Sequence, residues 1–151
     1  MAPGIQTRRA RATDSEVMRS LAAQLGYEVS RSQASQRLDA LLGDDSHLVL
    51  VAEGSDGVVG WIHLLPRPLL MASGIAEIGG LVVDQRHRRG GIGLALVHAA
   101  EQWAGEHGYA GILVKSNAAR EESHAFYVGA GYERTKTQEV YKKELKSLPP
   151  G

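Results

Sequence analysis

Residues 81–94 read Leu-Val-Val-Asp-Gln-Arg-His-Arg-Arg-Gly-Gly-Ile-Gly-Leu, and the architecture of the chain is best understood from this stretch. Its apolar start is typical of a buried strand, its middle is a basic, glycine-rich turn, and a helical pattern begins near Ile92. The first N–H groups of a helix have no partner within the helix, and the helix dipole adds partial positive charge there. Because Arg88 and Arg89 add full positive charges, we interpret the junction as a site for an anion.

The glycines of this turn restrict which anion site it is. Gly90, Gly91 and Gly93 let the backbone approach a ligand closely and adopt positive φ. A P-loop requires a lysine after its last glycine, and none follows here. The dinucleotide fingerprint Gly-x-Gly-x-x-Gly does not fit either, since the turn carries Gly-Gly-x-Gly. A glycine-rich connector without a ligand is the alternative interpretation.

The sequence on either side of this turn predicts a mixed sheet covered by helices. Apolar alternation and β-branched runs predict strands at residues 5–12, 47–53, 58–65, 75–83 and 111–114, and two more within Tyr132–Glu144. Capping residues and helical spacing predict helices after Thr13 or Asp14, after Ser30 or Ser32, and at residues 91–107 and 121–130. The Gly79-Gly80 pair interrupts a strand, which indicates a bulge or a close backbone approach. We therefore predict an α/β (α+β) fold of order β-α-α-β-β-β-α-β-α-β-β, with a mixed, mostly antiparallel central sheet of six to seven strands and helices on both faces.

Composition limits the classes of protein to which the chain can belong. Its 151 residues, 43% apolar and 23% charged, predict one globular domain over residues 1–151 with a frayed tail at 147–151. We expect a cytoplasmic protein without a membrane partner, because the longest run free of Asp, Glu, Lys, Arg and His, Pro68–Ala76, is too short for a span and the Arg-rich N-terminus lacks the apolar region of a secretory signal. Lysine plus arginine and aspartate plus glutamate number 17 each, so charge gives no sign of a nucleic-acid partner. The absence of cysteine excludes thiolate chemistry, and the six histidines are scattered, so no metal is expected.

The turn also resembles a known family signature. Arg88-Arg89-Gly90-Gly91-Ile92-Gly93 is similar to the Gln/Arg-x-x-Gly-x-Gly/Ala motif of the GCN5-related N-acetyltransferases, the GNAT superfamily, and the whole order of elements resembles its small single-domain bacterial-type members. The resemblance implies that acetyl-coenzyme A is bound as acyl donor. It implies a backbone strand for the pantetheine arm and acetyl carbonyl at Leu81, Val82 and Val83. It also implies a cradle for the diphosphate formed by Arg88, Arg89, Gly90, Gly91, Ile92, Gly93 and Leu94.

A second match lies downstream. Asn117 follows a predicted strand, and a helix carrying Phe126-Tyr127 leads to Gly131-Tyr132, which is similar to the family's arrangement. The resemblance implies that Asn117, Phe126 and Tyr127 belong to the cofactor site, with Asn117 hydrogen-bonded to it and Tyr127 near its sulfur. Taken alone, Phe126-Tyr127 fits core packing with the hydroxyl at the surface equally well.

The implied reaction is acetyl transfer from a thioester to an amine. An alkylamine of pKa near 10.4 is mostly protonated at pH 7, so a general base is of value. We identify Glu77 as the candidate base, with His63 and His124 as weaker alternatives and a solvated surface glutamate as the structural alternative. Tyr127 would assist departure of the thiolate, and the family resemblance implies that the Val83 N–H would meet the oxyanion.

The acceptor site is expected in the irregular regions of the chain. We identify Tyr27, Trp61, His63 and Glu77 as candidate substrate-binding residues, although packing explains the aromatic residues equally well. The expected acceptor is a small-molecule amine, with an aminoglycoside-like amine suggested by the family resemblance. A protein or peptide N-acetyltransferase and a non-catalytic acyl-CoA sensor are the alternatives, and a homodimer is expected from a sheet edge near Tyr132–Glu144.

Overall fold

The computed structural model describes residues 4–116 and 120–146. Within them lie five strands: β1 (Gln6–Arg9), β2 (Leu48–Gly54), β3 (Gly57–Pro66), β4 (Ile75–Val83) and β5 (Gly111–Val114). The same residues form four α-helices: α1 (Ser15–Ala23), α2 (Arg31–Leu42), α3 (Ile92–Glu106) and α4 (Glu121–Gly129). The chain divides into two compact units, Met1–Lys115 and Ser116–Gly151.

The first unit contains the sheet, whose strands lie in chain order from β1 to β5. The pairs β1–β2, β2–β3 and β3–β4 are antiparallel, and β4–β5 is parallel. The parallel pair is joined through α3, as a parallel connection requires a crossover. The predicted class, a mixed and mostly antiparallel sheet with helices, is confirmed, while the described residues form five strands and not six to seven.

Helices of the first unit cover both faces of the sheet. On one face, the fully buried Ile62 and Leu64 of β3 lie on the side of α3, whose Ile92 and Leu96 are also fully buried. Alternate residues of the strands point to the other face. There Val49 and Val51 of β2 pack with residues of α1 and α2, namely Met18 and Leu38. One apolar layer thus lies between the sheet and α3 and a second between the sheet and α1 and α2, and together they bury the strands β2 to β4.

The predicted interruption of β4 is a bulge. Ile78 pairs with Leu64 and Gly80 pairs with His63, so Gly79 is the extra residue. Positions 79 and 80 both face the α1/α2 side of the sheet: a Cβ at Gly79 would lie 2.7 Å from Leu65 Cδ2, and one at Gly80 would lie 2.8 Å from Trp61 Cζ3. Two consecutive glycines are required here because a larger residue at either position would collide with β3 side chains.

The second unit contains α4 and the segment after it. Gly131, with φ of +95°, follows the helix, and Tyr132 donates its backbone N–H to the Tyr127 carbonyl at 2.9 Å. The prediction of two strands within Tyr132–Glu144 is wrong, because residues 132–146 form no strand. A charged segment with few apolar residues has little to bury, and Val140, Tyr141 and Leu145 are largely exposed. The expected homodimer was argued from a sheet edge in this segment, and that argument fails because the segment forms no strand.

Candidate functional site

The basic turn between β4 and α3 has the geometry of an anion cradle. Arg89 has φ of +68° and Gly91 has φ of +81°, both in the left-handed region. Gly91 precedes the first helical residue, Ile92, and its carbonyl accepts from the Ala95 N–H at 2.9 Å. The N–H groups of the first turn of α3 therefore point out of the helix toward the turn. A bulky residue rarely adopts the left-handed conformation, because it costs about 1–2 kcal/mol. Residues in such strained conformations are found most often at functional sites.

Two residues that the sequence analysis missed fix the start of this turn. Asp84 is buried, and its carboxylate accepts from the Arg86 N–H at 3.2 Å and from the Gln24 side chain at 3.4 Å. Gln24, at the end of α1, also accepts from the Gln85 N–H at 2.9 Å. Burial raises the pKa of Asp84, but these donors and the Arg86 charge outweigh burial and hold the pKa below its usual value. Because Asp84 and Gln24 both hydrogen-bond the backbone at the start of the turn, its N–H groups are held in a fixed arrangement.

The second half of β4 has one open edge within the first unit. Pairing with β5 ends at Ile78, whereas pairing with β3 continues to Val83. The Asp84 N–H donates to the Val59 carbonyl of β3 at 2.8 Å. Since backbone groups alternate in direction along a strand, the N–H groups of Val83 and Leu81 point away from β3. The part of β4 that the sequence analysis assigns to the pantetheine arm thus directs backbone N–H groups to an edge that pairs with no strand of the first unit.

Glu77 lies on the α1/α2 face of β4, opposite Leu65 of β3. Arg67 Nε is 2.8 Å from Glu77 Oε1, and Lys115 Nζ is 3.8 Å from the same oxygen. The Glu77 side chain is largely buried, and the Lys115 side chain is mostly exposed. The candidate base is therefore an ion-paired carboxylate, a feature that spacing alone did not reveal.

Two of the other predicted acceptor residues share this face with Glu77. Trp61 donates its indole N–H to the Met18 carbonyl at 3.1 Å, and its ring contacts the bulge at Gly80. His63 is half-buried, with Nδ1 3.3 Å from where a Gly79 Cβ would be. Tyr27 lies in the connection between α1 and α2 and is 60% exposed. Trp61, His63 and Glu77 therefore surround the bulge on one side of the sheet.

A third missed residue, His47, contacts His63. Their Nδ1 and Nε2 atoms are 2.9 Å apart, and the rings are stacked with centroids 5.1 Å apart. Burial and the neighbouring His47 lower the pKa of His63 to about 4. The two histidines are 16 positions apart in the sequence, so their contact depends on the register between β2 and β3. The amino-acid composition of the two predicted strands does not determine that register.

The second unit holds the predicted aromatic pair. The Tyr127 ring meets the Phe126 and Tyr132 rings edge-on, at centroid distances of 5.1 and 5.8 Å. Burial raises the pKa of Tyr127, so the phenol keeps its proton at neutral pH and remains a donor. Asn117, which the sequence analysis places in the cofactor site, lies outside the described residues.

Within 4–116 and 120–146, no three His, Asp or Glu side chains are grouped so that they could hold a metal ion. No helix in this part of the chain is both long and apolar enough to cross a membrane.

Comparison with known proteins assigns the family. The model of the acetyltransferase (GNAT) family matches residues 15–132, most of the chain. The chain belongs to the GNAT family. The enzyme class predicted from the sequence, an acyl-CoA-dependent N-acyltransferase, is the class of this family.

Solved GNAT structures have the same fold. An aminoglycoside acetyltransferase, AAC(6')-Iy in complex with a coenzyme A bisubstrate analogue, matches with a TM-score of 0.82 and 17% identity, over 93% of this chain and 99% of that one. Glucosamine-6-phosphate N-acetyltransferase from Arabidopsis thaliana matches with a TM-score of 0.79 and 18% identity, over 93% and 99%. Identities this low establish the architecture and leave the acceptor to be determined.

Curated GNAT relatives are closer in sequence but longer. N-acetyltransferase 8 of Homo sapiens is 33% identical over 87 residues, which are 56% of this chain and 38% of that protein. N-acetyltransferase family 8 member 3 of Mus musculus is 29% identical over 111 residues, 72% of this chain and 49% of that protein. The chain spans less than half the length of each of these relatives that it matches.

Proposed function

We propose that this protein transfers the acetyl group of acetyl-coenzyme A to a primary amine of a small molecule by direct attack. One observation carries the proposal: in a GNAT chain, the amide-lined basic turn before α3 directly follows the half of β4 that has an open edge. An anion cradle and an extended backbone in series match a ligand that has a diphosphate at one end and an amide-bearing arm at the other. Coenzyme A is such a ligand.

The diphosphate is proposed to lie against Arg88–Leu94. Outward N–H groups of the first turn of α3 and the fixed backbone at Arg89 and Gly91 supply donors, and the exposed Arg88 and Arg89 supply charge. Three or four charge-assisted hydrogen bonds of about 1.5–3 kcal/mol each suffice, in gross terms, for micromolar affinity.

The pantetheine arm is proposed to run back along the open edge of β4, away from the turn. The N–H groups of Val83 and Leu81 point to that edge and would pair with the arm's carbonyls, with Val82 between them. Each strand residue advances about 3.3 Å, so the bulge at Gly79 is about 13 Å from Val83. The acetyl end of the arm would then lie nearer the bulge than the turn, and Leu81 is better placed than Val83, the residue implied by the family, to donate to the oxyanion.

The acceptor amine is proposed to approach the bulge from the α1/α2 face, where Glu77, His63 and Trp61 lie. Glu77 is the candidate base and amine-binding carboxylate, and Arg67 fixes its orientation through the 2.8 Å ion pair. Tyr127, with Phe126 beside it and Asn117 on the preceding segment, is proposed for the cofactor's thiol end. Because Tyr127 keeps its proton at neutral pH, it can protonate the leaving thiolate.

The acceptor class is proposed as a small amine because solved GNAT neighbours are named for aminoglycosides and for glucosamine 6-phosphate. Two cations, Arg67 and Lys115, lie around the one carboxylate of Glu77. This charge balance is unfavourable for a polycation, so an acceptor with a single amine is expected to react better than an aminoglycoside. A cytoplasmic location and a homodimer remain predictions, the latter to be measured by light scattering.

The proposal is tested by calorimetry and by thiol release. Acetyl-coenzyme A is titrated into the wild type, into R89G and into the control R37A, which removes an exposed arginine of α2. Glycine accepts the positive φ of residue 89, so R89G removes charge without adding strain. We expect R89G to weaken binding about 10-fold, at 1.4 kcal/mol per decade, and R37A to bind as wild type.

Release of coenzyme A is then measured with kanamycin, glucosamine 6-phosphate, phenylethylamine, phenylalanine and a lysine-containing peptide. Turnover with any of the four small amines supports the proposed function, and turnover with the peptide alone would favour a protein N-acetyltransferase. Tight binding without any release would favour an acyl-CoA sensor. No binding of coenzyme A at all would end the acyl-transfer proposal.

A further inference from the structure

Two imidazoles lie in direct contact on the sheet face that carries Glu77. His47 stands immediately before β2, and His63 lies in β3 opposite Val49. His47 Nδ1 is 2.9 Å from His63 Nε2, and His47 Nε2 is 3.7 Å from Asp44 Oδ2. The three side chains form a row from an exposed carboxylate to a half-buried imidazole.

The order of the row fixes where the protons lie. The negative charge of Asp44 favours a proton on His47 Nε2, which leaves His47 Nδ1 as the acceptor. His63 must then donate from Nε2, since a 2.9 Å contact between two neutral imidazoles needs one donor and one acceptor. The remaining nitrogen, His63 Nδ1, carries a lone pair.

That lone pair is directed toward the bulge of β4. His63 Nδ1 is 3.3 Å from the place of a Gly79 Cβ, and Gly79 itself is exposed. Because Gly79 has no side chain, His63 Nδ1 lies beside exposed backbone here, with Leu65 Cδ2 2.7 Å from the same place. In the proposed function, the bulge is also the end of β4 nearest the acetyl group.

We propose that His63 and His47 form a proton relay that takes the proton from the acceptor nitrogen and passes it to solvent beside Asp44. The inference rests on the proposed acetyl transfer. The amine nitrogen attacks the thioester carbonyl, the C–N bond forms and the C–S bond breaks. A proton leaves that nitrogen for His63 Nδ1, the Nε2 proton of His63 moves to His47 Nδ1, and the Nε2 proton of His47 leaves past Asp44. The thiolate receives its own proton from Tyr127, which regains one from solvent in exchange for the proton that the relay released. The two imidazoles return to their starting tautomers before the next turnover, and the products are the amide and the free thiol.

The surroundings of His63 favour a residue that passes a proton on over one that stays protonated. The charged groups near it on this face are Asp44, behind His47, and Glu77 with its partner Arg67 on the strand side. Burial lowers the pKa of His63 to about 4, so at neutral pH the ring is neutral, with its one proton on Nε2, and it holds a second proton only in passing. Glu77 Oε1 is already held 2.8 Å from Arg67 Nε, so in this relay Glu77 serves to bind the amine while His63 takes its proton.

The arrangement of protons is tested first, without any acceptor. Nitrogen NMR of the ¹⁵N-histidine-labelled protein at pH 7 distinguishes the two neutral tautomers of each ring. We expect His63 to be neutral, with its proton on Nε2 and a bare Nδ1, and His47 to have a bare Nδ1 that accepts from His63. A proton on His63 Nδ1 would overturn the relay, whatever reaction the protein catalyses.

Kinetics with a small amine that the panel shows to be acetylated tests the transfer. In H47N, the amide oxygen stands near the place of Nδ1 and still accepts from His63, but it cannot pass a proton on. In H47A, the acceptor is lost altogether. A relay predicts that kcat falls roughly 10-fold or more in both variants while KM for acetyl-coenzyme A stays unchanged, and that H63N loses about 10²–10⁴-fold with partial rescue by added imidazole.

The control is H98N, which removes an exposed histidine of α3 on the opposite face of the sheet and is expected to have wild-type kcat. Wild-type turnover in H47N with a loss only in H47A would show that His47 merely positions His63, and would overturn the relay. Wild-type turnover in H63N would overturn it as well. If the proposed function fails, no small-molecule amine of the panel releases coenzyme A from the wild type, an outcome distinct from any variant-specific loss.

Discussion

At the scale of single residues, the balance between burial and partners decides which form of a titratable group the fold prefers. His63 is half-buried between β3 and the bulge, and its ring partner is another imidazole, so its neutral form is favoured. Asp14 shows the opposite case. Its carboxylate is buried but accepts from Arg8 Nη1 at 2.8 Å, and that bond holds the pKa of Asp14 below its usual value.

His63 gives the chain a pH-dependent stability. Its pKa is about 4 when folded and near 6.5 when unfolded, so between these values the unfolded chain binds more protons. The free energy of unfolding therefore falls as the pH is lowered from about 6.5 to about 4, and this contribution is absent above that window. Urea titrations at pH 7.5, 5.5 and 4.5 should show H63N losing less stability than the wild type. H98N serves as the control, and an equal loss in H63N and the wild type would contradict the expectation.

Tyr127 is the residue whose substitution separates chemistry from binding. Its phenol has a raised pKa because of burial, so proton transfer to a thiolate of pKa near 8.5 is uphill, and tyrosine assists without being indispensable. We expect Y127F to lower kcat by roughly 10²–10⁴-fold and to leave the affinity for acetyl-coenzyme A nearly unchanged. Steady-state kinetics and calorimetry on the same preparation measure both quantities. An unchanged kcat would remove Tyr127 from the mechanism.

At the scale of elements, β4 is the strand on which the proposed site depends. One glycine pair bends it, and its pairing with β5 stops at Ile78, directly before that bend. The bend and the loss of pairing together leave the backbone from Gly79 to Val83 with a free edge. Without the bulge, the side chains of β4 would alternate regularly, so the residues on one side of Gly79 would lie on the opposite face of the sheet from the one they occupy now.

The bulge should not tolerate a side chain. In G80A, the new Cβ would lie 2.8 Å from Trp61 Cζ3, and the ring cannot move freely because its Nε1 donates to the Met18 carbonyl. We expect G80A to reduce the free energy of unfolding by about 1–3 kcal/mol. The matched control is G105A in α3, where a Cβ has open space and alanine should stabilise the helix by about 0.5–1 kcal/mol. Chemical denaturation compares the two variants, and a neutral G80A would contradict this account of the bulge.

Local signals predicted most elements of the first unit. Ser30 and Gln33 form the capping box that opens α2, and Gly79-Gly80 marks the bulge, because both depend on neighbours within a few residues. The loop between β2 and β3 is shorter than predicted, since Gly54 and Gly57 pair with each other. The contacts of Gln24 with Asp84, of Arg67 with Glu77 and of His47 with His63 could not be predicted, because each depends on which elements meet. The two strands expected after α4 failed for the same reason, since alternation shows that a segment can form a strand but not that a partner strand exists.

At the scale of the whole molecule, the GNAT match and the division into units give different boundaries. The family match runs over residues 15–132, across the division after Lys115. In the described part of the second unit, the only helix is α4, with nine residues. Isolated helices shorter than about 12–15 residues are marginal in water. A second unit with so little regular structure is not expected to fold by itself, so one domain remains our prediction for the chain.

Calorimetric unfolding tests this single domain together with its ligand. We expect the full chain to unfold in one transition, with equal calorimetric and van't Hoff enthalpies, because no residue in the described part of the second unit is buried. Acetyl-coenzyme A at 100 times its Kd should add about 2.7 kcal/mol. For a chain of this size, each kcal/mol moves Tm by roughly 2–4 °C, so the whole transition should rise by about 5–10 °C. R89G should keep the Tm of the unliganded protein and show a smaller rise at the same ligand concentration. Two transitions of which the ligand moves only one would divide the chain into independent domains and limit the coenzyme site to one of them.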